Sequence, residues 1–280
     1  MFREMKVITS VNELVEKAAE VRAEGKSIGL VPTMGALHDG HLSLIRRARA
    51  ENDVVFVSIF VNPVQFNNPD DLEKYPRTLD RDLELIGDDA DYVFAPSVEE
   101  VFPTPPTEEY HFGPVEEVME GSARPGHFNG VGVIVGRLLR WVNPDKAYFG
   151  EKDYQQIAVI RELKRQLDVP AEIVCCPIVR EPNGLAMSSR NRRLTPHQFE
   201  VAAQIHRILE ESKKLPDVPQ IKQFVEEEIA KIPEFKLDYF EMADDQTLQS
   251  VQSFDDAEGV MGFITVYVGD VRLIDNIHYC

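Results

Sequence analysis

The sequence predicts an α/β protein, with a doubly wound parallel sheet followed by a smaller α+β unit. Strand-like and helix-like segments alternate over about the first 180 residues, which is the pattern of consecutive β-α-β units. Beyond residue 194 the pattern changes to two amphipathic helices and then strands. The length of 280 residues suits two modest domains, each with its own core.

The sheet region opens with a buried strand over residues 27–35, "SIGLVPTMG". A helix is predicted over 41–52, because its apolar side chains recur at helical spacing (Leu42, Leu44, Ile45 and Ala48). The elements that follow are a buried strand over 53–62, a Pro- and Asn-rich loop over 62–78, a helix over 79–90, a strand over 91–97, a helix over 130–142, a strand over 146–150, a helix over 153–168 and a strand over 171–179.

The C-terminal region predicts a separate α+β unit. Its helices are expected over 195–215 and 219–232, and its strands over 235–244 and 259–279. We place the domain boundary near residues 190–195, which gives one domain of residues 1–190 and a second of residues 191–280.

Composition narrows the classes of function. A formal net charge of −18 argues against nucleic-acid binding through the general surface, since phosphate binding needs a basic face. We expect no membrane span, because apolar runs such as "VVFVSIFV" are too short, and no secretory signal, so the cytoplasm is the predicted location. We expect the three cysteines to be reduced and structural. A local cluster of arginines within 180–193 suggests a small anionic ligand, or merely a solvated loop.

The segment "VPTMGALHDGH", residues 31–41, lies where a strand gives way to a helix. Ligands of open parallel sheets bind at the carboxyl ends of the strands. Gly35 and Gly40 allow tight turns and close approach of another molecule. His41 lies in the first helical turn, where N–H groups and the helix dipole favour an anion, and His38 can face the same cleft. Two donating rings suit a phosphate that gains charge as a leaving group departs.

Two other interpretations of these histidines remain open. An H-x-x-H pair can bind a transition metal, but no third ligand stands at a useful spacing. The rings can also cap the helix or pack, without any chemistry.

The tetrapeptide "HDGH" matches the HxGH signature of the nucleotidyltransferase superfamily. Six blocks occur in order over about 160 residues: "VPTMGALHDGH", "SIFVNPVQF", "YPRTLDRD", "RPGHFNGV", "FGEKDYQQ" and "GLAMSSRN". Together they make the chain resemble the pantothenate synthetase (pantoate–β-alanine ligase) family. The resemblance implies a Rossmann-like domain that binds nucleotide and pantoate, a C-terminal lid domain, and ATP-dependent condensation of pantoate with β-alanine. The implied reaction first forms a pantoyl adenylate and releases pyrophosphate. It then forms pantothenate and releases AMP.

By resemblance, three segments and the single residue Val179 hold ATP. The implied catalytic groups are His38, His41, Lys152 and Arg190. The implied ATP-binding residues are Met34, Gly35, Ala36, Leu37, His38, Asp39, Gly40, His41, Gly150, Glu151, Lys152, Asp153, Val179, Met187, Ser188, Ser189 and Arg190. Taken alone, a lysine between acids is usually a surface ion pair, and "NGLAMSSRN" is compatible with a simple hairpin turn.

The resemblance also implies the remaining ligands. Gln65 and Gln156 match glutamines that contact pantoate, Gln65 also lies near β-alanine, and Asn62 shapes the same pocket; a buried glutamine that only satisfies loop backbone is the alternative. Mg²⁺ is expected with ATP. Asp82 is the candidate metal ligand, although Arg81 stands where some relatives carry a second acid. The family is generally dimeric, so a homodimer is expected.

Overall fold

The computed structural model describes residues 5–280, and this part of the chain divides into two compact units. Unit 1 contains the chain up to Phe112 together with Arg124–Pro177. Unit 2 contains Gly113–Ala123 and Ile178–Cys280. The division after Pro177 comes earlier than the predicted boundary after residue 190, and the short insertion 113–123 was not anticipated.

The secondary structure of the described chain is as follows. The strands are β1 Lys6–Ile8, β2 Ile28–Thr33, β3 Val54–Ile59, β4 Tyr92–Phe94, β5 Lys146–Gly150, β6 Glu172–Cys176, β7 Phe235–Asp244, β8 Val260–Val268 and β9 Val271–His278. The helices are α1 Val11–Ala23, α2 Asp39–Glu51, α3 Pro69–Lys74, α4 Leu79–Ile86, α5 Val98–Val101, α6 Met119–Ala123, α7 His127–Val142, α8 Tyr154–Leu167, α9 Pro196–Ala202, α10 Gln204–Ser212 and α11 Val218–Ala230.

Unit 1 is built on a parallel sheet with the strand order β1-β4-β3-β2-β5-β6. From β2 the chain adds β3 and β4 on one side, and then returns to add β5 and β6 on the other. The order therefore reverses between β2 and β5. In open α/β sheets this switch point, at the carboxyl ends of the strands, is where ligands bind.

The core of unit 1 forms where α2 covers the sheet. Leu42, Leu44, Ile45 and Ala48 are the buried residues of α2, as their spacing predicted. They pack with Val31, Val57 and Tyr148 from three neighbouring strands. The central strands β2 and β3 are almost continuously apolar because both of their faces are covered.

Unit 2 consists of an antiparallel sheet, β7-β8-β9, with α9, α10 and α11. The insertion 113–123 belongs to it because both terminal guanidinium nitrogens of Arg272 on β9 donate to Glu120, at 2.7 and 2.8 Å. Tyr239 donates a hydrogen bond to the same carboxylate at 2.8 Å. Burial and the neighbouring Glu120 charge raise the pKa of the Tyr239 phenol. These contacts bring a segment distant in sequence onto the C-terminal sheet.

The predicted fold class is confirmed, with a few differences in its elements. The single helix expected over 195–215 is two helices, α9 and α10, separated at Ala203. The helix expected over 79–90 ends at Ile86, because Gly87 takes a φ of +51°. The three cysteines are free thiols. No helix within residues 5–280 is both long and apolar enough to cross a bilayer.

Candidate functional site

The loop between β2 and α2 has an unusual backbone. Gly35 and Ala36 both lie at positive φ, +78° and +52°. Positive φ is easy for glycine but disfavoured for alanine, which has a Cβ atom. Thr33 ties the loop to the next strand, since its hydroxyl donates to the carbonyl of Ser58 at 2.7 Å. The same hydroxyl accepts from the Gly35 amide at 3.2 Å.

Asp82 of α4 holds the next part of this loop. Its carboxylate is fully buried and accepts from the backbone amides of Ala36 and Leu37, each at 2.8 Å. The Thr78 hydroxyl donates to it at 3.1 Å. The sequence had suggested Asp82 as a metal ligand, whereas the structure gives its oxygens to the backbone of the motif. The described residues contain no group of three His, Cys, Asp or Glu side chains that could hold a metal ion.

The two histidines cap α2 reciprocally. His38 is the N-cap, and its Nδ1 accepts from the Gly40 amide at 3.1 Å. Nδ1 of His41 accepts from the His38 amide at 3.4 Å. The ring centroids are 4.1 Å apart. Because Nδ1 is the acceptor in both rings, each neutral imidazole carries its hydrogen on Nε2. Capping therefore orients two Nε2–H donors at a helix N-terminus, where anions are favoured.

The segment 150–153 follows β5, which pairs with β2. Gly150 ends the strand, residues 151–153 form one 3₁₀ turn, and α8 begins at Tyr154. The Lys152 ammonium lies 3.4 Å from an oxygen of Asp153, and its side chain is only 17% exposed. Gln156 is half-buried in the first turn of α8. Since β2 and β5 are parallel, this turn lies at the same carboxyl edge of the sheet as residues 34–41, which we call the histidine loop. The two segments flank the switch point.

Gln65 lies on the third neighbouring strand end, in a 3₁₀ turn after β3. Its amide nitrogen lies 3.1 Å from the sulfur of Met34, and its amide oxygen accepts from Asn62 at 3.0 Å. Both Asn62 and Gln65 are buried. The structure thus brings a predicted pantoate residue into direct contact with the predicted ATP loop.

Two residues that support Gln65 were not assigned a role from the sequence. His127 Nδ1 lies 2.9 Å from the Gln65 carbonyl and must donate to it, because a carbonyl only accepts. Gly130 lets α7 approach this turn closely: a Cβ there would lie 2.5 Å from the Val64 carbonyl oxygen and 2.6 Å from Gln65 Cα. Both residues lie in the block "RPGHFNGV", which contributes to the family resemblance but does not by itself indicate a contact with Gln65.

The predicted residues of unit 2 form a hairpin and a turn. The Met187 amide donates to the Val179 carbonyl at 3.0 Å. Ser188 caps the 3₁₀ turn Ser189–Arg193 by accepting from the Arg190 amide at 3.3 Å. The turn therefore holds the two serines and Arg190 in one compact segment, with Ser189 buried.

Arg180 fixes the base of this hairpin. It binds both oxygens of Asp275 on β9, at 2.7 and 3.0 Å, and donates to the Gly184 carbonyl at 3.3 Å. Asp275 is 4% exposed. Of the arginines predicted to form a cationic patch over 180–193, Arg180 is therefore neutralised within unit 2.

In unit 1, the structure gathers the residues that the sequence assigned to one site. Met34–His41, Gly150–Asp153 and Gln65 all follow adjacent strands at one edge of the sheet, whereas Val179 and Met187–Arg190 belong to unit 2. The side chains of Ala36 and Leu37 are fully buried, so these two residues shape the loop from within. Imidazole donors, an ammonium group and a helix N-terminus at a switch point suit a polyphosphate.

A parallel sheet with such a loop at its switch point defines a nucleotide-binding α/β protein. Residues 6–278 match the model of the family described as "Pantoate-beta-alanine ligase". Among curated proteins, the pantothenate synthetase of Bacteroides thetaiotaomicron is 53% identical over 98% of this chain and 99% of its own length. That of Phocaeicola vulgatus is 54% identical, with 98% and 99% covered. This chain belongs to the pantoate–β-alanine ligase family.

Solved structures of the same family share this fold. The crystal structure of pantothenate synthetase from Thermus thermophilus superposes with a TM-score of 0.92 at 40% identity, covering 98% of this chain and 99% of that one. The pantoate–β-alanine ligase from Francisella tularensis, solved in complex with "Beta-gamma ATP and Beta-alanine", gives a TM-score of 0.82 at 35% identity, with 99% and 98% covered.

Proposed function

We propose that this protein is a pantothenate synthetase, which joins pantoate to β-alanine with the conversion of ATP to AMP and pyrophosphate. The observation that carries the proposal is the convergence of Met34–His41, Gln65 and Gly150–Asp153 on adjacent strand ends at the switch point. The relatives named for this activity match the chain over nearly its whole length.

The reaction has two steps. A carboxylate oxygen of pantoate attacks the α-phosphorus of ATP, and the bond to pyrophosphate breaks. The amine of β-alanine then attacks the acyl carbon of the pantoyl adenylate, the bond to AMP breaks, and the amine loses a proton. Neither step needs a nucleophilic side chain, so positioning and charge stabilisation supply the catalysis.

We assign the residues as follows. Nε2 of His38 and His41 donates to the phosphates, and Lys152 neutralises the charge that develops on pyrophosphate. The neutral amides of Gln65 and Gln156 bind pantoate without quenching its attacking oxygen by an ion pair, and Gln65 also lies beside β-alanine. We also assign Ser188, Ser189 and Arg190 of unit 2 to ATP binding, since hydroxyl and guanidinium donors suit phosphate oxygens.

Mg²⁺ enters with ATP as its phosphate complex in this proposal. A magnesium ion typically keeps several waters and binds mainly through substrate phosphates. The candidate ligand Asp82 does not fit, because its carboxylate is buried against backbone amides. We therefore assign no protein ligand to the metal. The homodimer remains a prediction from the family resemblance, and the cytoplasmic location remains a prediction from the sequence composition. Sedimentation equilibrium tests the first.

The test follows pyrophosphate from purified protein with MgATP and pantoate, before and after β-alanine is added. We expect a limited burst of pyrophosphate without β-alanine and continuous turnover with it. Pantoate labelled with ¹⁸O in its carboxylate should transfer one label to AMP. Release of ADP, AMP without label, or turnover only with a different acid or amine would contradict the proposal.

His41→Ala and Lys152→Ala should slow adenylate formation by at least about a hundredfold while leaving the fold intact. Lys74→Ala removes an exposed lysine at the end of α3 and serves as the matched control. Wild-type rates in either site variant would reject the role assigned to that residue.

A further inference from the structure

The buried carboxylate of Asp82 contacts the histidine loop where two successive residues have positive φ angles. Gly35 and Ala36, at φ +78° and +52°, turn the amides of Ala36 and Leu37 toward one point. Successive amides in such a conformation form a concavity that binds anions, and phosphate is a common occupant. Here the anion is supplied by the chain itself, from a helix 45 residues further along.

We propose that Asp82 is a positioning residue for ATP: it fixes the amides of Ala36 and Leu37, and through them the orientation of His38 and His41. This inference rests on the proposed function. A positive φ is unfavourable at Ala36 because alanine carries a Cβ atom. The two charge-assisted hydrogen bonds to Asp82 compensate for this cost. The amides bound to Asp82 do not serve the phosphates, so the phosphates bind at the histidines and the first turn of α2.

A magnesium ligand is the rival role for this carboxylate. Both of its oxygens accept backbone hydrogen bonds, Thr78 adds a third at 3.1 Å, and the side chain is 0% exposed. Binding a metal there would require those bonds to break. The two roles therefore predict opposite responses to added Mg²⁺: a weakened ligand is rescued by excess metal, whereas a misplaced loop is not.

The decisive variant is Asp82→Asn, which preserves size but turns an NH₂ group toward one of the two backbone amides. Asp80→Asn is the matched control, because it removes a charge from an exposed position on the same helix. For both variants, adenylate formation is measured against ATP and Mg²⁺ concentration. The reaction of supplied pantoyl adenylate with β-alanine is measured separately.

We expect Asp82→Asn to lose at least about tenfold in kcat/KM for ATP at saturating Mg²⁺. The half-saturating Mg²⁺ concentration should stay unchanged, and the reaction of supplied adenylate should fall less than adenylate formation. Asp80→Asn should behave as wild type. Recovery of the rate by excess Mg²⁺ would overturn the inference in favour of a metal ligand. Equal losses in both variants, equal losses in both half-reactions, or wild-type kinetics in Asp82→Asn would also overturn it.

If Asp82→Asn fails to fold, amide hydrogen exchange in the wild-type protein tests whether Asp82 holds the loop. The inference predicts that the amides of Ala36 and Leu37 exchange slowly without nucleotide, because a buried carboxylate holds both. Exchange as fast as in exposed loops would overturn it. The proposed function is tested independently by the wild-type assay: absence of pantothenate formation there would reject the function, whereas the variants and the exchange rates judge only Asp82.

Discussion

Gly130→Ala should perturb the site indirectly, because Gly130 allows α7 to pack closely against the turn that carries Gln65. A Cβ at residue 130 would lie 2.5 Å from the Val64 carbonyl oxygen, 2.6 Å from Gln65 Cα and 2.7 Å from the Gln65 amide nitrogen. All three are backbone atoms, so no side-chain rotation relieves the contact. An ordinary contact of about 3.4 Å requires the turn to move by about 0.9 Å relative to the helix.

The expected energies follow from two opposing effects. Overpacking costs about 1–3 kcal/mol, and the helix propensity of alanine over glycine returns about 1 kcal/mol. The difference is about 0–2 kcal/mol, and we expect a net loss in its upper half, about 1–2 kcal/mol, because the backbone atoms of Val64 and Gln65 cannot rotate away from the new Cβ. At about 2–4 °C per kcal/mol for a unit of this size, Tm should fall by about 2–8 °C.

The variant should also lose activity. A displacement of about 1 Å in a substrate-positioning group can cost about a hundredfold in rate, so kcat/KM for pantoate should fall by at least about tenfold. Gly136→Ala is the matched control on the same helix. Its Cβ would meet only side-chain ends, Leu167 Cδ1 at 3.2 Å and the Tyr110 hydroxyl at 3.3 Å.

The assay compares thermal unfolding and steady-state kinetics of both variants with wild type. Gly136→Ala should keep its Tm, or gain slightly, and keep its kcat/KM. The reasoning is refuted if the two variants have the same Tm, or if Gly130→Ala retains wild-type kcat/KM for pantoate.

Three further outcomes are expected. Asp275→Asn should lose about 2–3 kcal/mol in urea unfolding, somewhat less than a fully buried pair, because its partner Arg180 is 20% exposed; an unchanged unfolding midpoint would contradict this. Hydrogen bonds from Lys146 and Arg47 lower the pKa of Glu51 to about 2, so the folded state gains stability above the ordinary carboxyl range near 4.5 and loses it as pH falls toward 2. Glu51→Gln should flatten that part of the stability profile, and an identical acid limb would argue against it. Burial raises the pKa of the Cys175 thiol to about 11, so iodoacetamide at pH 8 should label the exposed Cys280 first, as peptide mass spectrometry can check.

Sequence patterns were sufficient where the physical cause is local. The apolar runs of β2 and β3, the helical spacing in α2 and the strand-to-turn junction at Gly150 all predicted the observed elements. Because parallel strands share one carboxyl edge, the same patterns predicted that the histidine loop and Lys152 would lie at one edge of the sheet.

Patterns failed where the cause lies far along the chain. Nothing near Asp82 in sequence indicates that its carboxylate meets amides at positions 36 and 37. The insertion 113–123 joins unit 2 through a partly buried ion pair between Glu120 and Arg272, 152 residues apart. The role of Gly130 likewise depends on a backbone approach from another element, which appears in no periodicity. Pairings of this kind arise from tertiary packing and are visible only in three dimensions.

The central claim is that ATP phosphates bind at the switch point, against the capped histidines and Lys152. A crystal structure with a non-hydrolysable ATP analogue and Mg²⁺ tests it most directly. The account predicts phosphate oxygens within about 3.2 Å of Nε2 of His38 or His41 and of the Lys152 ammonium. Phosphates bound at any other edge of the sheet, with these nitrogens facing water, would contradict it.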